Sequence, residues 1–248
     1  MNKPNIARLS QGYWRQDPIW RGLVGAWFMP EGGGLTAYDY SGYGNHGTLT
    51  GGPTWSTGKF GGAISFDGSD DHIITGKTFN NSQFSYAVWA YPTSTATNKY
   101  ILFEGGASSR NIGVLSSSAT WYVWPNDATL NAGSVSLNVW AFLALTYDGG
   151  TLRLYKDGVL KASLVATPGA GGNLFIGRYG PSTGFEWAGK IDSLCLFNRN
   201  LIASEVRQLY INPFPDVRRR TWFVPAVAVA VSQVPQRSDQ RLWGVYRL

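Results

Sequence analysis

Gly22-Leu-Val-Gly-Ala-Trp-Phe28, Asp39-Tyr-Ser-Gly-Tyr-Gly-Asn-His-Gly47 and Phe60-Gly-Gly-Ala-Ile-Ser-Phe-Asp-Gly-Ser-Asp-Asp71 follow one another in that order at short spacing. The first piece reads as a strand over Leu23–Phe28, and the second as a glycine-rich turn region. The third carries a strand over Ala63–Phe66 and leads to another at His72–Thr75. Working outward, Phe84–Tyr91 alternates large and small residues at period two, so alternate side chains share a face. Tyr100–Phe103, Asn111–Leu115 and Thr120–Trp124 read as shorter strands, and Val139–Tyr147 as a long apolar one. Thr151–Lys156 and Val159–Ser163 flank Asp157-Gly158, a pair that predicts a type I′ hairpin turn because both residues need positive φ. Asn173–Gly177 and Lys190–Phe197 complete the strands. One short helix is expected over Ala203–Tyr210, stopped by Asn212-Pro213.

The composition agrees with this reading. The 248 residues include 31 Gly, 11 Trp, 13 Tyr and 12 Phe, and only 15% are charged. Many turns, aromatic strands and no long helix predict a two-sheet antiparallel sandwich. The single cysteine, Cys195, excludes an internal disulfide and reads as a buried core thiol.

Six pieces in order are similar to the laminin-G-like, concanavalin-A-like superfamily: the opening motifs, Trp140–Asp148, Leu152–Gly158, Asn173–Arg178, Gly189–Arg199 and Ser204–Tyr210. The resemblance covers residues 22–212 and implies an all-β jelly-roll sandwich with one short C-terminal helix. The chain departs from the family in one place. Ile202 stands where a Ser or Thr cap is usual, so Ser204 is expected to cap a later start or the helix end to fray. The domain organisation expected is an N-terminal arm (1–21), the sandwich (22–212) and an Arg/Pro-rich extension (213–248).

Net charge is +6, with +3 in residues 1–22 and +4 in 213–248, which leaves −1 for the middle. The basic excess therefore belongs to the ends. Arg218, Arg219 and Arg220 have no nucleic-acid motif beside them, so they read as a solvated or interface cluster, and nucleic acid is not the expected partner. Met1–Ser10 has no apolar core of a signal peptide, and Val224–Val231 is too short to span a bilayer. A protein without a classical export signal or membrane insertion is expected.

Superfamily glycanases place two carboxylates on one strand at i and i+4. The chain has four glutamates, Glu31, Glu104, Glu186 and Glu205, and none forms that pattern. Asp70 and Asp71 are adjacent and point to opposite faces of a strand. His46 and His72 fit structural positions, so no enzyme is expected. The resemblance implies a structural calcium held by Glu31, the Gly68 carbonyl and Asp192, with Asp39 and Asp67 as alternates. The competing reading is that these carboxylates hydrogen-bond loop backbone. Trp121, Tyr122, Trp124, Asn126 and Asp127 form the richest cluster for stacking on a sugar, and Tyr179 with Trp187 the second. Core or interface packing is the alternative for each.

The layout of one such domain with basic arms is similar to many proteins of tailed phages. That resemblance implies a non-enzymatic virion protein, a capsid decoration or tail-fibre component, that displays a lectin-like sandwich. Its arms would bind neighbouring virion subunits or copies of itself through Tyr13, Trp14, Trp20, Arg218, Arg219, Arg220, Trp222, Phe223 and Trp243. The alternative is a carbohydrate-binding module or adhesin recognising host or environmental glycans.

Overall fold

The computed structural model describes residues 18–96, 98–105, 110–115, 118–123, 129–169, 171–180 and 182–214. Among them the chain is all-β apart from a 3-10 turn at Pro18–Trp20 and one helix, α1 (Ala203–Ile211). The strands are β1 (Leu23–Trp27), β2 (Thr36–Ala37), β3 (Gly47–Thr50), β4 (Thr54–Thr57), β5 (Gly62–Asp67), β6 (His72–Thr78), β7 (Phe84–Pro92) and β8 (Lys99–Glu104). They continue as β9 (Arg110–Leu115), β10 (Thr120–Val123), β11 (Leu130–Ser134), β12 (Ala141–Tyr147), β13 (Thr151–Lys156), β14 (Val159–Val165), β15 (Asn173–Ile176) and β16 (Ala188–Phe197). None of the described helices is long and apolar enough to cross a membrane.

Two eight-stranded antiparallel sheets form a sandwich. The first runs β14-β13-β12-β7-β16-β5-β4 with β1 also on β16, and the second runs β11-β10-β9-β8-β15-β6-β3-β2. β5 pairs with the first half of β16 and β1 with its second half, on either side of a bulge between Asp192 and Cys195. The main core lies between the sheets. Phe84, Tyr86, Val88 and Ala90 of β7 face it, opposite Leu102, Trp121 and Leu174 of the second sheet. The alternate residues of β7, Ala87 and Trp89, face a second core that joins the first sheet's outer surface to Leu201, Val206 and Leu209 near or on α1 and to Phe214. Strands buried on both faces read as continuous apolar runs, which is why β7, β12 and β16 were legible.

The turn motif Asp39–His46 works as a clamp. Asp39 Oδ1 accepts from the N–H groups of Ala26 (2.9 Å) and Ser41 (2.8 Å), and Oδ2 from Asn45 N (2.9 Å) and Ser41 Oγ (2.7 Å). Asn45 returns its amide to Val24 O, and Trp27 Nε1 donates to Asn45 O. The carboxylate is 6% exposed. Four charge-assisted hydrogen bonds thus fix the turn onto β1. At the other end of the chain, Arg199 ties the N-terminal segment to α1. It donates to Arg21 O (2.7 Å) and Ile19 O (3.0 Å) and pairs with Glu205 (2.7 Å).

Several expectations are corrected. α1 starts at Ala203 with Ile202 as its N-cap residue, so Ser204 does not open a later start. Glu205 Oε2 accepts the Ile202 N–H (2.9 Å), which is half of a capping box, and the Glu205 N–H that a hydroxyl would have taken bonds Ile202 O instead (3.0 Å). Trp20, expected either on the sandwich or on a neighbouring chain, is 3% exposed and packs on Phe28 and Phe197 of its own sandwich, which removes it from the assembly contacts. Its large apolar ring has been taken up by the second core. The short strands β2, β3, β4 and β11 were not expected, because their Gly-, Thr- and Ser-rich sequences carry no strong apolar alternation. Asp157 (φ 52°) and Gly158 (φ 76°) have the positive dihedrals that the hairpin turn demands. Tyr13, Trp14, Arg218, Arg219, Arg220, Trp222, Phe223 and Trp243 lie outside the described residues.

Candidate functional site

The second sheet presents Trp121 and Val123 of β10 to the core, so Tyr122 between them faces outward. Tyr100 and Phe103 of β8 share that outer face. A loop from Gly177 to Trp187 lies across it. Gly177 opens the loop at φ 83°, with no room for a Cβ against the Phe66 ring, and donates to Ile101 O (2.8 Å). Trp187 closes the loop by plunging into the core, fully buried and stacked on Trp121 at 6.2 Å. Between these anchors, Tyr179 sits 4.3 Å from Phe103 and 4.8 Å from Tyr100, ring centre to ring centre. Phe185 lies 5.6 Å from Tyr179 and keeps 36% of its surface exposed. The outcome is an aromatic shelf of buried rings beneath half-exposed ones.

A polar cluster adjoins the shelf. Glu186, 1% exposed, accepts from Gly184 N (2.8 Å) and lies 3.9 Å from Arg178 Nε. Arg178 Nε donates to Ser182 O (3.1 Å), and its Nη1 lies 3.3 Å from His72 Nε2. His72 Nδ1 is 2.7 Å from Asp70 O, so Nδ1 carries the proton and Nε2 is left to accept from Arg178. Lys99 Nζ donates to Gly68 O (3.1 Å). Burial lowers the Lys99 pKa, against the opposing pull of Glu186 and Asp67. Burial likewise raises the Tyr100 phenol and the Asp71 carboxyl. This arrangement offers aromatic faces for stacking, bordered by a guanidinium that Ser182 O, His72 Nε2 and Glu186 hold in place.

Of the expected glycan residues, Tyr179 is on this surface. Trp121 (1% exposed), Tyr122 (2%) and Trp187 (0%) are corrected. The two tryptophans fill the inter-sheet core, and Tyr122 is covered by Tyr100 at 5.8 Å. Trp124, Asn126 and Asp127 lie outside the described residues. Sequence reasoning missed Tyr100, Phe103, Arg178 and Phe185. The available signal was the turn-rich run Gly180-Pro-Ser-Thr-Gly184 between two aromatic residues.

Two of the expected calcium ligands, Gly68 and Asp192, do not come together. The β5/β16 register sets Asp67 opposite Ala188. Gly68 and Asp192 are therefore at least four strand residues apart, about 13 Å at ~3.3 Å each. The Gly68 carbonyl already receives an ammonium, and Asp192 accepts from Phe60 N (3.1 Å) and Ser193 Oγ (2.6 Å). Glu31 Oε1 accepts from Tyr38 N and the Tyr40 hydroxyl. The alternates are equally committed: Asp39 in its clamp, and Asp67 on Ser69 N (2.7 Å). Asp67, Asp70 and Asp71 do gather their carboxylates within 4.8 Å of one another, though Asp71 Oδ2 is already held by the Asp67 N–H.

The model of the concanavalin A-like lectin/glucanases superfamily matches residues 66–207, more than half of the chain. No curated protein matches the sequence. Among solved structures, domain 4 of AbnA, a GH43 extracellular arabinanase from Geobacillus stearothermophilus solved in complex with arabinotriose, is similar (TM-score 0.62, 21% identity). The alignment covers 76% of this chain and 98% of that one. The binding domain of Paraclostridial Mosquitocidal Protein 1 aligns with TM-score 0.64 at 15% identity, over 77% of this chain and 52% of that one. Trypanosoma rangeli sialidase aligns with TM-score 0.62 at 15% identity, over 77% of this chain but only 33% of its own length. At these identities the likeness is one of fold.

Proposed function

Because the chain belongs to the concanavalin A-like lectin/glucanases superfamily, we propose that its sandwich is a non-enzymatic carbohydrate-binding unit. The shelf formed by Tyr179 and Phe185 beside Arg178 is where a sugar ring stacks. The observation that carries this reading is the partly exposed aromatic pair, on a loop that packs across the outer face of the second sheet. Aromatic faces give sugars a sequence-tolerant apolar contact, and planar Arg donors fix their hydroxyls or carboxylates. The arabinotriose-bound arabinanase domain, matched over nearly its whole length, supports a ligand of this class. The non-enzymatic part rests on how the buried carboxylates are used. Glu104 serves Tyr86 and Arg110, and Glu186 serves Gly184 N and Arg178.

The finer reading is a structural protein of a phage virion, a capsid decoration or tail-fibre component, that displays this sandwich and assembles through its terminal arms. Its support is the concentration of positive charge in residues 1–21 and 213–248.

The test is titration of the full chain against neutral and acidic oligosaccharides, arabinan fragments among them, by calorimetry. Tyr179→Ala and Phe185→Ala are expected to weaken binding at least tenfold while leaving the sandwich folded, with Tyr179→Ala the costlier because it loses three ring contacts of about 0.5–1.5 kcal/mol each. Absence of binding to every glycan, or binding indifferent to both substitutions, sinks the reading.

A further inference from the structure

The edge strand β14 is open. It is seven residues long, pairs among the described residues only with β13, and exposes Val159 (49%), Leu160 (47%) and Val165 (83%). Its core-facing residues Ala162 and Leu164 are only partly buried, as are neighbouring Val135 and Ala166. The core is thus left half-covered along this side. β11, the edge of the other sheet, has no ladder to β14. Between them lies an open groove of about 430 Å³, lined by Asn131, Gly133, Lys156, Val159 and Lys161. Lys161 is the one charge on β14, and the strand has no proline. An apolar edge of this length is a template for another strand. The other edges are shorter: five residues in β11, four in β4 and two in β2.

The chain itself contains a matching segment. Residues 221–236 carry no charge, and within them Ala226-Val-Ala-Val-Ala-Val231 alternates strictly at period two. Paired to β14, such a strand would turn Val227, Val229 and Val231 to the half-covered core and its alanines to the other face. We propose that β14 receives this run from a second copy of the chain, antiparallel, so that each sandwich is completed by its neighbour's extension. This rests on the reading of the terminal arms as assembly elements and names the surface that receives one of them.

Geometry favours the second copy over the chain's own tail. Phe214 packs on Phe60 beside β5, and Phe60 contacts Trp89, which stacks on Tyr210. Tyr210 in turn abuts Gly158, so Phe214 lies at the Val159 end of β14. β5 and β14 are five strand steps apart, about 24 Å at ~4.8 Å per step. Residues 215–225 extend to about 36–40 Å at most. The chain's own tail therefore reaches the Val159 end easily, but from there it would run parallel to β14. To enter antiparallel it must reach the Val165 end, a diagonal of about 31 Å, stretched nearly straight across α1. The first sheet is antiparallel throughout, and parallel pairing is the weaker arrangement. A tail from another copy meets no such limit.

The experiment uses full-length chains. Ser163→Cys and Ala228→Cys are made in separate chains, which are then mixed and treated with a short bis-maleimide. The native Cys195 is buried and takes no part. A mixed cross-linked dimer is expected, together with an oligomer by light scattering, and Val229→Pro in the donor should weaken both at least tenfold. An oligomer that persists unchanged in Val229→Pro overturns this assignment and leaves the arms as assembly elements. Cross-linking only within doubly substituted single chains overturns the second-copy placement. A full chain that is monomeric at all concentrations overturns both. Glycan binding by Val229→Pro should equal that of the parent, so the sugar-binding reading stands or falls by itself.

Discussion

Replacing Glu104 by glutamine should remove a pH dependence built into the core. Glu104 is the last residue of β8, fully buried, and takes a hydrogen bond from Tyr86 on the opposite sheet. Arg110 lies 3.4 Å away on β9, with its other donors on Phe79 O and Asn81 O and its guanidinium over the Phe84 ring. Burial raises the Glu104 carboxyl from 4.5 to about 7, although Tyr86 and Arg110 pull it down. Between those two pH values the native state holds more protons than the unfolded chain, so stability falls as pH rises. Below 4.5 both states are protonated and no cost applies; above about 7 the full cost is present. At about 1.4 kcal/mol per pH unit the window is worth at most about 3 kcal/mol. Urea unfolding at pH 5 and at pH 8 measures it. The parent should lose stability across this interval relative to Glu104→Gln, and the two should be nearly equal at pH 5. Parallel curves from pH 5 to 8 would refute the argument.

Asp39→Ala leaves four buried donors without their acceptor and should cost about 3–5 kcal/mol, read as a lower urea midpoint at unchanged slope. Trp121→Ala should cost a similar ~3–5 kcal/mol through the cavity it leaves, while glycan affinity per folded molecule stays at the parental value. In affinity that is the inverse of the result expected for Tyr179→Ala. A Trp121→Ala protein of normal stability that has lost its sugar would return the site to β10.

Legibility in the sequence followed burial. β7 could be read because both of its faces are covered, so Phe84 through Ala90 had no polar position to blur the run. β3 (Gly-Thr-Leu-Thr) and β11 (Leu-Asn-Ala-Gly-Ser) sit near the margins of their sheet and bury one or two side chains each, too few to set a period. The site was harder for a related reason. Trp121 and Tyr122 are neighbours of similar character, and only the position of the opposing sheet decides which one enters the core. Tyr179 is found at the surface because a turn-rich loop carries it. Gly68 and Asp192 are kept apart in a way the sequence did not show, and the Lys99 ammonium that reaches back to Gly68 is a contact 31 residues apart in sequence that no local motif announces.

β16 is the last of the described strands, yet it is the one that β1, β5 and β7 all pair with. A nascent chain that has emerged only as far as Gly184 holds fifteen of its strands without the one that joins them. The first sheet therefore cannot close until β16 has emerged, and closing it brings together residues as distant as Leu23 and Phe197. Loop closure of that length comes before any reward from pairing, so folding should be slow and should begin only after β16 is released. Until then the open edges of β5 and β7 are exposed to every other chain made nearby.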